Sequence, residues 1–148
     1  MIKLGSLLAS IWLAAVCADP VPLTAGVELA ASHTEAVGSN VQLVVTVTNT
    51  GPLIPNLGLV FRTADRWYEV HRVTDLAGCT VAAGASAFDC GDLAVGETKT
   101  FTFTGVATVA GTFHYELGIR ELVQPYDYVN DHPDGPDVQV WDEVVSGP

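Results

Sequence analysis

The sequence predicts an all-β domain, an antiparallel sandwich of about seven strands. Three observations carry this. Short segments alternate apolar and polar residues with a period of two, and Gly, Pro and Asn turns separate them. No stretch after residue 25 repeats its apolar residues at helical spacing. The 148 residues are 49% hydrophobic and 16% charged, which suits one domain with a sound core and not a disordered chain.

The chain opens "MIKLGSLLASIWLAAVCADP". Lys3 is a short basic head, Leu4 to Val16 is largely apolar, and Val16 and Ala18 suit a signal-peptidase cut before Asp19. The expected organisation is a signal-peptide helix at 1–18, an extended lead-in at 19–25 and a sandwich domain at 26–148. The apolar run is too short for a comfortable membrane span, and the mature chain shows no second one. An uncleaved anchor and acylation of Cys17 are the competing readings; Val16 before Cys17 is bulkier than acylation sites normally carry.

"VQLVVTVTNTGP" puts Val41, Leu43, Val45 and Val47 on one face of a strand and ends it in a turn. "LGLVFRT" reads as the next strand. "RWYEVHRV" reads as a third, with Trp67, Glu69 and His71 on one face. In "ETKTFTFTGVATV" Phe101 and Phe103 point inward, Thr98, Thr100, Thr102 and Thr104 outward, and Gly105 marks a bulge or bend. "FHYELGIRE" turns Phe113, Tyr115, Leu117 and Ile119 inward and His114, Glu116 and Arg120 to water. "DVQVWDEVV" closes the series.

A net charge of −11 and a pI near 4.4 make nucleic acid a poor partner and a solvated surface the simple reading. If Cys17 leaves with the signal, Cys79 and Cys90 remain as an even pair in an oxidising compartment, where a structural disulfide is expected. Zinc normally asks for more ligands at close spacing, and His71 is the only histidine near the pair.

"YDYVNDHPDGPD" gathers Asp127, Asn130, Asp131, Asp134 and Asp137, oxygen donors that calcium favours, although the spacing is not that of an EF-hand. Calcium is the one cofactor the sequence suggests; the plain alternative is an acidic turn framed by Pro133 and Pro136. Trp67, Tyr68, Tyr126, Tyr128 and Trp141 are the aromatic set; exposed, they would stack on sugars, and buried, they are core. "GASAF" approaches a nucleophile elbow around Ser86 but ends in Phe88 and lacks the strand-to-helix context. The four histidines form no paired metal frame, and His71 and His114 read as ordinary strand-face residues.

"VQLVVTVTNTGP", "GCTV", "FDCGDLAVGETKTFTFTGVATVAGTF" and an Asp/Asn stretch before the last strand together resemble a conserved repeat domain of bacterial and archaeal surface proteins. That family is catalogued as a domain of unknown function, number eleven, with an immunoglobulin-like fold. The resemblance spans residues 41 to 141 and rests on Asn49–Gly51, Cys79 with Cys90, and Leu93–Glu97. The family's Leu-Pro-x-Gly turn and its paired asparagines are replaced here by "TADRWYEVHRVTDLAG" and "NDHPDG". The resemblance implies an immunoglobulin-like, non-catalytic module, secreted or at the cell surface, with a protein or glycan partner and scope for self-assembly. Its expected role is adhesion, matrix or assembly. A carbohydrate-binding module and a calcium-stabilised adhesion module are the alternatives.

Overall fold

A computed structural model describes residues 33–122 and 138–148, with backbone alone at 23–27, 123 and 127–128. The expected signal peptide at 1–18, with Cys17, and Tyr126 and Asn130 to Asp137 lie outside the described residues. For Asp127 and Tyr128 only the backbone is described.

The strands are β1 (Leu23–Val27), β2 (His33–Ala36), β3 (Asn40–Asn49), β4 (Leu57–Phe61), β5 (His71–Asp75), β6 (Thr80–Ala82), β7 (Ala87–Asp89), β8 (Thr98–Ala107), β9 (Gly111–Val123), β10 (Asp127–Tyr128) and β11 (Gln139–Ser146). A four-stranded sheet runs β1-β3-β8-β5. A seven-stranded sheet runs β2-β11-β9-β4-β7-β6, with β10 attached to β9. The sandwich is as expected, but finer-grained than about seven strands, because several short segments pair separately. Among the described residues its strand pairs are antiparallel except one: β2 runs parallel to β11.

Period-two patterning does the sorting. On β3, Val41, Leu43, Val45, Val47 and Asn49 are buried, and Phe101, Phe103 and Ala107 of β8 lie on the same inner surface. The outward threonines pair across the two strands, Thr46 with Thr100 at 3.0 Å and Thr48 with Thr98 at 2.9 Å. Each such pair contributes about 0.2–1 kcal/mol. β4 is buried on both faces. Leu57, Leu59 and Phe61 join the main core, while Val60 packs with Ala82, Ala85, Ala87 and Leu122.

Asn49 ends β3 and is wholly buried. Its Nδ2 donates to the carbonyls of Pro52 (2.7 Å), Leu93 (3.1 Å) and Ala94 (3.1 Å), and its Oδ1 accepts from the Gly51 amide at 2.9 Å. One side chain thus knots the Asn-Thr-Gly turn to the Leu-x-x-Gly-Glu turn. Asn49→Ala strands buried carbonyls and is expected to cost about 2 kcal/mol, read from the urea midpoint. A loss below half that would remove the knot's importance.

Two side-chain assignments change. "RWYEVHRV" is not one strand: Arg66 stays extended, Trp67–Val70 makes a single helical turn (α1), and β5 begins at His71. The turn brings Trp67, Val70 and His71 all to one side, which a strand cannot do. Arg120 is buried, not in water, because β9 lies between β11 and β4 at the centre of its sheet.

Cys79 and Cys90 are bonded, with Cα atoms 4.3 Å apart, across the open end of the β6–β7 hairpin. β7 in turn pairs with β4, and Phe88 on β7 stacks on Phe103 of the opposite sheet at 4.2 Å.

A buried histidine and glutamate cluster as the candidate functional site

The most polar point of the interior lies where the edge strand of each sheet approaches the other. β2 supplies His33 and Glu35, whose i, i+2 spacing puts both on the inner face of a strand. β11, paired with β2, supplies Glu143 between the buried Trp141 and Val145. β5, at the edge of the four-stranded sheet, supplies His71 at its first residue.

His71 is held from behind. Its ring stacks on Trp67 at 4.3 Å, and its Nδ1 lies 3.0 Å from the Trp67 carbonyl. The one-turn helix makes that carbonyl available, and Gly105 on β8 makes room for the indole. A Cβ at residue 105 would stand 3.0 Å from the ring edge and 3.1 Å from His71 Cβ. On its other side His71 Nε2 lies 2.8 Å from Glu35 Oε1 and 2.9 Å from Glu143 Oε1. Both ring nitrogens therefore face acceptors. The protonated ring satisfies both; a neutral ring would turn its lone pair on an oxygen.

One N–H cannot serve two carboxylates well. Glu35 takes the hydrogen bond. Neither oxygen of Glu143 has a hydrogen-bond partner among the described residues, although its side chain is 0% exposed and its Oε1 lies within ion-pair distance of His71. Burial pushes the Glu35 carboxyl up to about 7, and neighbouring Glu143 adds to the rise. Burial would lower His71, but the neighbouring Glu143 and Glu35 carboxylates overcome it and hold the imidazolium above the ordinary histidine value. Burial would likewise raise Glu143, yet His71 and Glu35 hold it below the usual carboxylate value. Crowding both carboxyls against one imidazole thus sets the two acids apart, Glu35 raised and Glu143 lowered.

His33 closes the outer side. Its Nε2 lies 3.7 Å from Glu143 Oε2 and 3.9 Å from Glu35 Oε2, and neither ring nitrogen has a hydrogen-bond partner among the described residues. An open groove of ≈ 490 Å³, lined by His33, Thr34, Glu35, Asn40, Gln42 and neighbours, leads to it from solvent.

Of the aromatic residues that the sequence singles out, Trp67 backs the cluster through His71. Trp67 and Trp141 are 0% and 2% exposed, so neither offers a ring to a sugar. This corrects the sugar-stacking reading for both. Tyr68 is half-buried, edge-on to Phe61 and Phe88. Ser86 has left-handed backbone (φ 55°), and its Oγ accepts from Arg66 Nε at 2.9 Å. That is turn chemistry. His71 is no ordinary strand-face residue but the centre of the cluster.

His114 is on the surface, as expected. Its Nδ1 lies 2.6 Å from Asp142 Oδ1 and its Nε2 3.5 Å from Glu116 Oε1. The bond to Asp142 raises its pKa above the ordinary value. With the folded value raised, the pair's contribution is complete below the unfolded-state pKa and disappears as pH rises through the folded one. Asp142→Asn should lower the pH at which the His114 proton resonances titrate. An unchanged titration would show that Asp142 does not hold the proton.

No family model and no curated protein matches the chain. Solved structures do. The solution structure of the CARDB domain of a Pyrococcus furiosus protein is 15% identical, with a TM-score of 0.51, covering 87% of this chain and 98% of that one. The crystal structure of that CARDB domain, in complex with di-metal ions, is 14% identical, with a TM-score of 0.49 over 86% of this chain and 96% of that one. The chain shares the CARDB β-sandwich fold. A family 123 glycoside hydrolase from Clostridium perfringens is 8% identical at a TM-score of 0.45, and the match spans 28% of its length.

Proposed function

We propose that the chain is an exported, non-catalytic β-sandwich module of the extracellular space or cell surface, working through its faces in adhesion, matrix or assembly. The Cys79–Cys90 bond carries this reading, since such bonds form and persist in oxidising compartments. The CARDB-like fold supports a module of this kind at the level of architecture. Among the described residues no helix is long and apolar enough to cross a membrane, and the polar chemistry of the turns is spent on holding them. A protein or glycan surface is the expected partner.

The test is fractionation of cells expressing the full chain, with N-terminal sequencing and thiol titration, followed by binding of the purified protein to intact cells. A product outside the cytoplasm that begins at Asp19, has no free thiol and binds cells saturably supports the proposal. An uncut chain in the cytoplasm with free thiols overturns it.

A further inference from the structure

We propose that His33, Glu35 and Glu143 bind a divalent transition-metal ion, zinc by its donor set, with His71 as the positioning residue behind the two carboxylates. This does not depend on the exported role proposed above.

The geometry divides the carboxylates into two sides. Each turns Oε1 toward His71 and Oε2 toward His33. One ligand atom from each of His33, Glu35 and Glu143 lies within 4.8 Å of the others. The 3.7 and 3.9 Å separations from His33 Nε2 are too long for hydrogen bonds. They are close to the roughly 3.3 Å expected between ligands around a tetrahedral zinc with bonds of about 2.0–2.2 Å. A small inward movement would close them on an ion.

The cluster's unmet polar atoms point to a ligand independently of that spacing. Glu143 is fully buried with both oxygens lacking a hydrogen-bond partner among the described residues, and both His33 nitrogens are in the same condition. Buried polar atoms without partners are costly, so such a concentration asks for an occupant. Charge asks for it too: with both acids ionised, two carboxylates face one imidazolium. A bound cation compensates the remaining negative charge.

The donor set selects the ion. Calcium and magnesium prefer oxygen alone, whereas a mixed imidazole and carboxylate site suits zinc and its neighbours. The groove beside His33 provides entry, and water from it supplies the fourth ligand. His71 is fixed through Nδ1 by the Trp67 carbonyl and steers both carboxylates through Nε2, the outer-layer role that keeps metal ligands in place.

The full chain, freed of metal with a chelator and dialysed, is titrated with zinc by calorimetry and with cobalt(II) by visible absorption. One equivalent should bind, with cobalt bands of a four- or five-coordinate site. His33→Ala and Glu143→Gln should each weaken zinc binding by about a hundredfold or more, and His71→Asn by about 10–100-fold. His114→Ala and the pair Asp131→Asn with Asp134→Asn should leave it unchanged. If Glu143→Gln does not fold, His33→Ala decides, since His33 lies at the groove and its folding is checked by circular dichroism. Absence of binding in the unaltered chain overturns the proposal, as does full affinity in folded His33→Ala or loss of affinity in either control.

Discussion

Replacing His71 by alanine in the metal-free protein should cost about 3–5 kcal/mol, measured as the shift of a denaturant transition in the presence of chelator. Among the described residues His71 approaches both buried acids most closely, at 2.8 and 2.9 Å, and removing it leaves negative charge without compensation, a penalty that exceeds what the intact cluster contributes. Glu35 is 8% exposed at its side chain and Glu143 0%, so water can do little for either. Part of the loss is mechanical, because the imidazole also fills space against Trp67 at 4.3 Å. A double substitution separates the two. Adding Glu143→Gln to His71→Ala removes one stranded charge but refills no space. The double variant should therefore be less destabilised than the sum of the single ones, with a coupling of about 1–3 kcal/mol. Strict additivity would mean that His71 stabilises by filling space alone.

The sandwich was legible because its longest strands obey the simplest rule. β3 and β8 alternate buried and exposed residues along their length, and a single buried face forces that period. β5 was misjudged for a physical reason. The Trp, Tyr and Val of "RWYEVHRV" have the composition of a strand, and only the need to lay Trp67 on His71 beside Gly105 turns four of its residues into a helical turn. Alternation puts Arg120 in water because it cannot show that residues 117–120 are all buried where β9 runs between β11 and β4.

The cluster escaped because its members come from three distant segments, at 33–35, 71 and 143, which meet only after β2 pairs with β11. Half of it was within reach. His33 and Glu35 at i, i+2 are a one-faced pair in any strand, but a single histidine beside a single acid is no metal frame until Glu143 joins them. The acidic stretch that attracted a calcium reading lies outside the described residues, so its claim rests on composition. Asn49 shows the opposite case. Its Asn-Thr-Gly context is visible, yet nothing local reveals that its amide reaches 44 and 45 residues ahead to Leu93 and Ala94.

Replacing Cys79 and Cys90 together by alanine should lower stability by about 3 kcal/mol, the chain-entropy value for a loop of this size. The bonded residues are 11 apart in sequence. In a domain of this length that is roughly a 10 °C fall in the thermal midpoint. Reductant acting on the unaltered chain should do the same. The size follows from what the clasp holds. β6 and β7 are three residues each, too short to persist as an isolated hairpin. β7 nevertheless has to deliver Phe88, wholly buried, onto Phe103 across the core, and β6 has to cover β7 at the edge of the sheet. Without the bond the unfolded chain regains the freedom of that loop, and the native edge keeps only the hydrogen bonds of three residues. Amide exchange should therefore quicken first at Thr80 to Ala82 and spread to β7. If reductant moves neither the midpoint nor those amides, the bond adds nothing that the β4 pairing does not already supply. The clasp would then give no physical reason for the protein to need an oxidising compartment.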